Sequence, residues 1–141
     1  PLTELLQGIL WQICGIYGIT DSFLAVKYTS PDLKIEIDDK SELKIYASSG
    51  RFERQTNINI DSDENIFQTI IKSSRNEDVF TTQNETIAPL SIGELIVGAI
   101  YLNKQISAEQ DHELLIRFAK KAAIAIQNSM VYDRILNRIK S

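Results

Sequence analysis

Thr86-Ile87-Ala88-Pro89-Leu90-Ser91-Ile92, then Gly93-Glu94, then Leu95-Ile96-Val97-Gly98-Ala99-Ile100-Tyr101-Leu102 is the stretch on which the fold turns. Two runs of strand-forming residues separated by a two-residue link that starts with glycine read as an antiparallel hairpin. The second run is apolar on both faces, which predicts a central strand covered from both sides. Pro89 has no N–H to give to a ladder, so it marks a bulge or an unpaired position, and the mid-strand Gly98 marks a close approach by another backbone or a helix.

Downstream, Ser107-Ala108-Glu109-Gln110 has the form of a capping box and opens a helical pattern over residues 108–140 that contains no Gly or Pro. A helix that exceeds ~25 residues calls for a reason beyond covering one small sheet. One stripe runs through Leu115, Phe118, Ala122, Ala125, Ser129, Tyr132, Leu136 and Ile139; a second runs through Ile124, Asn128, Val131, Ile135 and Arg138. The first stripe is suited to the domain's own sheet and the second to a partner, with residues 126–141 projecting as a signalling and dimerisation helix. The alternative is that the N-terminal helix covers this surface within one chain.

Upstream, Leu2, Leu5, Leu6, Ile9, Leu10 and Ile13 fall at helical spacing, giving a helix over residues 2–14 punctuated by Gly15 and Gly18. Strand-like runs follow at 22–29, 33–37 and 42–49, separated by turn residues, as an antiparallel meander. Asp61 and Glu64 read as the N-cap and return acid of a helix over 62–74, with Ile66, Phe67, Ile70 and Ile71 on one face. A short strand is expected at 79–82. Helix, strands, helix, strands, long helix is the order of an α+β domain with segregated helices.

The chain has 141 residues and a net charge of −4, which suits a single globular domain and disfavours a dedicated nucleic-acid binder. One Cys excludes an intrachain disulfide framework and a multi-cysteine zinc site. There is no ~20-residue apolar run to span a bilayer and no cationic leader, so a cytoplasmic, non-membrane setting is expected. Pro1 stands where a Met would begin a complete chain, so an excerpt from a longer protein is expected.

The C-terminal half resembles the GAF domain, a sensory module of signalling proteins. The resemblance rests on Ala88-Pro89-Leu90 followed by Gly93-Glu94-Leu95-Ile96-Val97-Gly98-Ala99-Ile100-Tyr101-Leu102, on Ile106-Ser107-Ala108-Glu109-Gln110-Asp111, and on Phe118-Ala119-Lys120-Lys121-Ala122-Ala123-Ile124-Ala125-Ile126-Gln127-Asn128-Ser129. It implies an antiparallel sheet of about six strands, with the N-terminal and long C-terminal helices on one face and a further helix on the other. It also implies a regulatory role in a protein with an attached effector domain such as a kinase, cyclase, phosphodiesterase or transcription regulator. Three features depart from the family. The Asn-Lys-Phe-Asp-Glu signature of cyclic-nucleotide binders is missing. The connection over residues 76–85 is short where a lid would stand. Cys14 is misplaced for bilin attachment.

From position alone, Tyr46, Phe67, Ile71, Phe80 and Ile100 are the candidate lining of a small-molecule cleft. Leu6, Ile9, Ile13, Ile124, Asn128, Val131, Ile135 and Ile139 are the candidate surface of a parallel homodimer, with Asn128 fixing register within an apolar seam. No cofactor is evident, since His112 as a haem ligand or general base has no second histidine beside it and reads as a helix surface residue. Cys14 reads as a buried, inert thiol. The acids Asp61, Asp63 and Glu64 lack the spacing of a calcium loop and read as helix capping. Arg51, Arg54 and Lys72 are a weak candidate anion site. No catalytic constellation assembles, so the chain reads as a regulatory, non-enzymatic domain; the alternative is an interaction module whose ligand site is reduced or lost.

Overall fold

The computed structural model describes residues 1–27 and 36–140, the side chains of 131–137 and 140 excepted. The expected strand at 33–37 falls mostly outside the described residues; Glu36 and Ile37 are irregular, with Ile37 buried. The described elements are α1 (Leu2–Tyr17), β1 (Ser22–Val26), β2 (Leu43–Ser49), a 3-10 turn (Gly50–Phe52), β3 (Asn57–Ile58), α2 (Glu64–Ser73), β4 (Phe80–Thr81), β5 (Thr86–Ile92), β6 (Leu95–Leu102) and α3 (Glu109–Lys140).

Six strands form one antiparallel sheet in the order β3-β2-β1-β6-β5-β4. The doubly apolar β6 is central, between β1 and β5, as its composition requires. Gly93 has φ 62° at the first position of the β5–β6 turn, where a two-residue hairpin calls for the left-handed region. Pro89 sits opposite Ala99, one residue before a bulge in which the register steps from Leu90↔Gly98 to Ser91↔Ile96. A second bulge leaves Tyr46 as the extra residue of β2, because Leu24 pairs with Ala47 and Ala25 with Ile45.

The sheet separates two apolar cores. On one side Leu6, Ile9, Leu10 and Ile13 of α1 and Leu115, Ala119, Ala122 and Ile126 of α3 pack on Leu24, Ala88, Leu90 and Ile100. The alanines at the α3 contact let that helix lie close over β5. On the other side Ile66, Phe67, Ile70 and Ile71 of α2 pack on Phe23, Ile87, Ala99 and Tyr101. This is the expected α+β architecture with two helices on one face and one on the other.

The helix boundaries differ from the sequence reading for local reasons. α1 runs through Gly15 to Tyr17, because Gly18 is the residue that takes the left-handed C-cap, at φ 66°. α2 begins two residues late: its N-cap is Asp63, whose carboxylate accepts from Ile66 N at 3.2 Å. Asp61 and Ser62 instead donate their N–H groups to Asn59 Oδ1 at 3.0 and 2.8 Å, which holds them in the preceding turn. In α3 the first-turn N–H groups of Asp111 and His112 reach the Ala108 carbonyl, so the helix starts just after Ala108.

Gly98 is required by its neighbours. A Cβ there would run into the Ala25 carbonyl oxygen and lie 3.0 Å from Val26 Cα. Gly98→Val is therefore expected to lower the unfolding free energy by at least the about 1–3 kcal/mol of an overpacked core. Urea unfolding measures it, and an unchanged midpoint would show that the strands yield at this point.

Candidate functional site

The α2 side of the sheet is filled by aromatic rings. Phe23 and Tyr101 lie on paired positions of β1 and β6 and stack at 5.0 Å with 12° between planes. Phe52, in the 3-10 turn, meets both edge-on, at 5.0 Å from Phe23 and 5.7 Å from Tyr101. Phe67 of α2 closes the same core and is fully buried.

The turn that carries Phe52 is fixed by two contacts. Gly50 adopts φ 63°, and a Cβ there would strike the Asp21 carboxylate and the Thr20 carbonyl. Asp21 Oδ1 accepts from Arg51 N at 3.0 Å. The Arg51 guanidinium then lies 4.4 Å from the Phe52 ring centre, with Nη2 3.8 Å from Asp63 Oδ2 at the α2 N-cap. The β4–β5 turn, closed by Thr82 N donating to Glu85 O at 2.9 Å, brings the Glu85 carboxylate to the Tyr101 hydroxyl, and the Arg51 side chain reaches the same hydroxyl from the 3-10 turn. Burial pushes the Tyr101 phenol well above its ordinary range, Glu85 pushes in the same direction, and Arg51 opposes them. The result is an aromatic plug with a polar rim of Arg51, Asp63, Glu85 and Tyr101. Such a rim can hold or release hydrogen-bonding groups.

The five residues expected to line a cleft do not share a face. Phe67 and Ile71 are on the α2 side, Tyr46 and Ile100 pack toward α1 and α3, and Phe80 is half-buried on the edge strand β4. Ile100 is off by one position, since in a strand its neighbour Tyr101 points the other way. Tyr46 alternates with Ile45 and so faces α1 and α3, and the bulge carries the next residue, Ala47, to that same side. Alternation counted from Gly98 would have found Tyr101; Phe52, Arg51 and Glu85 sit in turns and gave no periodic signal.

The anion candidates are also dispersed. Arg51 is at the N-terminal end of α2 and Lys72 is in its last turn, nine residues beyond Asp63, a rise of about 13 Å. Cys14 is half-buried, not buried, with Sγ 3.2 Å from Ser22 Oγ and 3.8 Å from Ser49 Oγ. His112 is likewise partly buried, with Nε2 2.5 Å from the Ile106 carbonyl oxygen. An open groove of about 550 Å³ is lined by Lys27, Asp38, Lys40, Ser41, Glu42, Lys44 and Asn57. Its Lys27 ammonium is engaged, donating to Glu36 O at 2.9 Å and Ser41 Oγ at 3.0 Å.

Of the candidate dimer residues, Leu6, Ile9 and Ile13 face inward and are at most 2% exposed. They belong to the chain's own core, because the α1 stripe that covers the sheet is the one that contains them. Ile124 is 57% exposed, Ile139 76%, and Asn128 is exposed. Val131 and Ile135 lie outside the described side chains.

The sequence matches, over residues 1–135, the family described as a domain of unknown function, DUF3369. The chain belongs to the DUF3369 family. No curated protein matches it. Its fold is that of GAF domains. The GAF domain of an Acinetobacter phosphoenolpyruvate-protein phosphotransferase superposes with a TM-score of 0.70 at 10% identity, over 93% of this chain and 85% of that one. The second GAF domain of DevS from Mycobacterium smegmatis gives 0.65 at 14% identity, over 96% and 99%. A type II free methionine-R-sulfoxide reductase from Thermoplasma acidophilum gives 0.58 at 13% identity, over 91% and 96%. Among the described residues of this DUF3369 domain, no helix is long and apolar enough to cross a membrane. Among them, too, no group of three His, Cys, Asp or Glu could hold a metal ion.

Because the Tyr101 phenol is held protonated in the folded state, the unfolded chain ionises first as pH rises past about 10. The contribution of Tyr101 to stability is thus complete below that pH and is lost above it, as pH climbs toward the folded value. Absorbance titration of the five tyrosines should show one phenol ionising only with unfolding. Tyr101→Phe should remove that late step, and an unaltered titration would mean that another tyrosine carries it.

Proposed function

We propose that this domain is a regulatory module of a signal-transduction protein, non-enzymatic and cytoplasmic, that self-associates through its helical layer. A change in that layer would pass through α3 to an effector domain in the same polypeptide. The observation that carries the reading is the reach of α3 past its buried contacts with the core of the domain. The Tyr17 hydroxyl donates to Asp111 Oδ1 at 3.2 Å, so the end of α1 meets the start of α3 and the two run antiparallel. α3 has 32 residues, a length of about 48 Å. The deepest α3 contacts with the core end at Ile126, with Met130 partly buried beyond it. Near its end the helix carries the exposed Ile139. A helix that outruns its domain is suited to carry a small rotation or shift to whatever it joins.

The aromatic plug favours this reading over a ligand-gated one, since Phe23, Phe52, Phe67 and Tyr101 occupy the face where a cleft was expected. Small-molecule sensing remains the second reading, favoured by the convergence of Arg51, Glu85 and Tyr101 at the edge of that face. Thermal-shift screening with nucleotides and metabolites addresses it.

The test of the main reading is sedimentation equilibrium over a wide concentration range. A monomer–dimer equilibrium in the micromolar range, about −8 kcal/mol, is the expected result. A chain that remains monomeric up to several hundred micromolar, roughly −5 kcal/mol or weaker, would sink it.

A further inference from the structure

The open groove of about 550 Å³ gathers ammonium groups from three places in the chain. Lys27 follows the last residue of β1, Lys40 is in the turn before β2, and Lys44 is in β2, paired with Asn57 of β3. The chain as a whole is acidic, with 15 Lys and Arg against 19 Asp and Glu. Even so, none of the three lysines is in ion-pair contact with a carboxylate; among the described residues the ion pair is that of Arg51 with Asp63. Lys27 is half-buried and held by two uncharged oxygens, Glu36 O at 2.9 Å and Ser41 Oγ at 3.0 Å, which leaves one of its three N–H donors for a ligand. Lys44 Nζ lies 4.9 Å from the centre of the Tyr46 ring. The two acids of the groove are already engaged. Asp38 Oδ1 accepts from Lys40 N at 2.9 Å and from Ser41 Oγ at 3.2 Å, and Glu42 Oε1 accepts from Asn59 Nδ2 at 3.4 Å. Three ammonium groups against two carboxylates leave the groove with a net charge of +1 in a chain whose total is −4.

We propose that this groove is a binding site for a small phosphorylated molecule. The cations are ammonium groups on separate stems. They act as point charges that can each meet a different oxygen of a tetrahedral anion, whereas a flat carboxylate is matched by the fork of an arginine. A phosphate monoester carries about −1.5 to −2 at neutral pH, enough to engage more than one of them. Ligand sites commonly span roughly 300–1,000 Å³, so the groove also has room for the organic part of such a molecule. The site is separate from the aromatic plug. Lys44 alternates along β2 with Leu43 and Ile45, which belong to the α2 core, and so stands on the opposite face of the sheet. Binding here requires neither self-association nor a cleft on the α2 side.

The test is an NMR titration of the isotope-labelled chain with inorganic pyrophosphate at physiological salt, with sodium chloride at matched ionic strength as the control. The backbone amide signals of Lys27, Lys40, Lys44 and Asn57 are expected to shift to saturation with a dissociation constant below ~1 mM. The ring signals of Tyr46 should move with them, as the Lys44 ammonium turns from the ring to the anion. Lys40→Gln and Lys44→Gln alter exposed side chains, so each should leave the melting temperature unchanged. Each should weaken binding about fivefold, the upper end for a solvent-screened charge pair, and Lys44→Arg should restore most of the affinity. Shifts that grow without saturating, or that sodium chloride reproduces, are bulk screening of the surface and overturn the site. Saturable binding that both Gln variants leave intact overturns it as well, because the anion then sits elsewhere.

Discussion

The close approach of β6 to β1 at Gly98 is the constraint on which the rest of the domain depends. Gly98 pairs with Val26 on one side and Leu90 on the other. Without a Cβ there, the central strands lie in register from Ser22↔Leu102 to Val26↔Gly98. That register sets the alternation of both faces. Leu24, Ile100 and Leu102 go to the α1 and α3 layer, and Phe23, Ala99 and Tyr101 go to the α2 layer. A slip of one residue would exchange the two sets and place the aromatic rings under α1 and α3.

The two layers solve their packing differently. Over β5, alanines bring α3 close, and the apolar contact is made by branched side chains of moderate size on both partners. On the α2 side the space is taken by rings, and the one polar end among them, the Tyr101 hydroxyl, is met at the rim. Burial of the Tyr101 body is favourable only while its hydroxyl has partners, and Glu85 and Arg51 are those partners. The short β4–β5 turn that supplies Glu85 therefore provides one of the two partners of the buried Tyr101 hydroxyl.

The sequence made the architecture legible because its strongest signals are periodic. The doubly apolar β6, the two-residue turn at Gly93 and the uninterrupted C-terminal helix each follow from spacing alone, and together with the segregated helices they specify the layers. What the sequence did not disclose was parity at the bulges and content in the turns. Tyr46 and Ile100 each alternate with a neighbour on the α2 side, Ile45 and Tyr101, and the extra residue in β2 then carries Ala47 to the side of Tyr46. The capping of α2 shifted from Asp61 to Asp63 because Asn59 competes for the N–H groups of Asp61 and Ser62. Arg51 and Phe52 owe their positions to contacts with Asp21 and Asp63, distant in sequence, which no local pattern announces, and Glu85 is set by its turn contact with Thr82.

The segment from Ser48 to Phe52 is where these two layers touch one backbone. Gln7 of α1 pairs its amide with Ser48, donating to the carbonyl at 2.9 Å and accepting from the N–H at 3.1 Å, as a neighbouring strand would. Ser49 meets Ser22 at 2.6 Å and Cys14 of α1 at 3.8 Å. Two residues on, Arg51 and Phe52 have crossed to the α2 side, where they cover the aromatic core and reach the α2 N-cap. Hydrogen bonds of ordinary strength contribute about 1 kcal/mol each, so no single one of these ties determines the position of α1. Their effect is geometric. Gln7 and Cys14 are seven residues apart, two turns of the same side of α1, and both are held by consecutive residues of β2. A rotation of α1 about its axis would break both contacts together, whereas a displacement confined to one end would break only one. α1 is thus fixed in rotation by the same five residues that close the opposite face of the sheet.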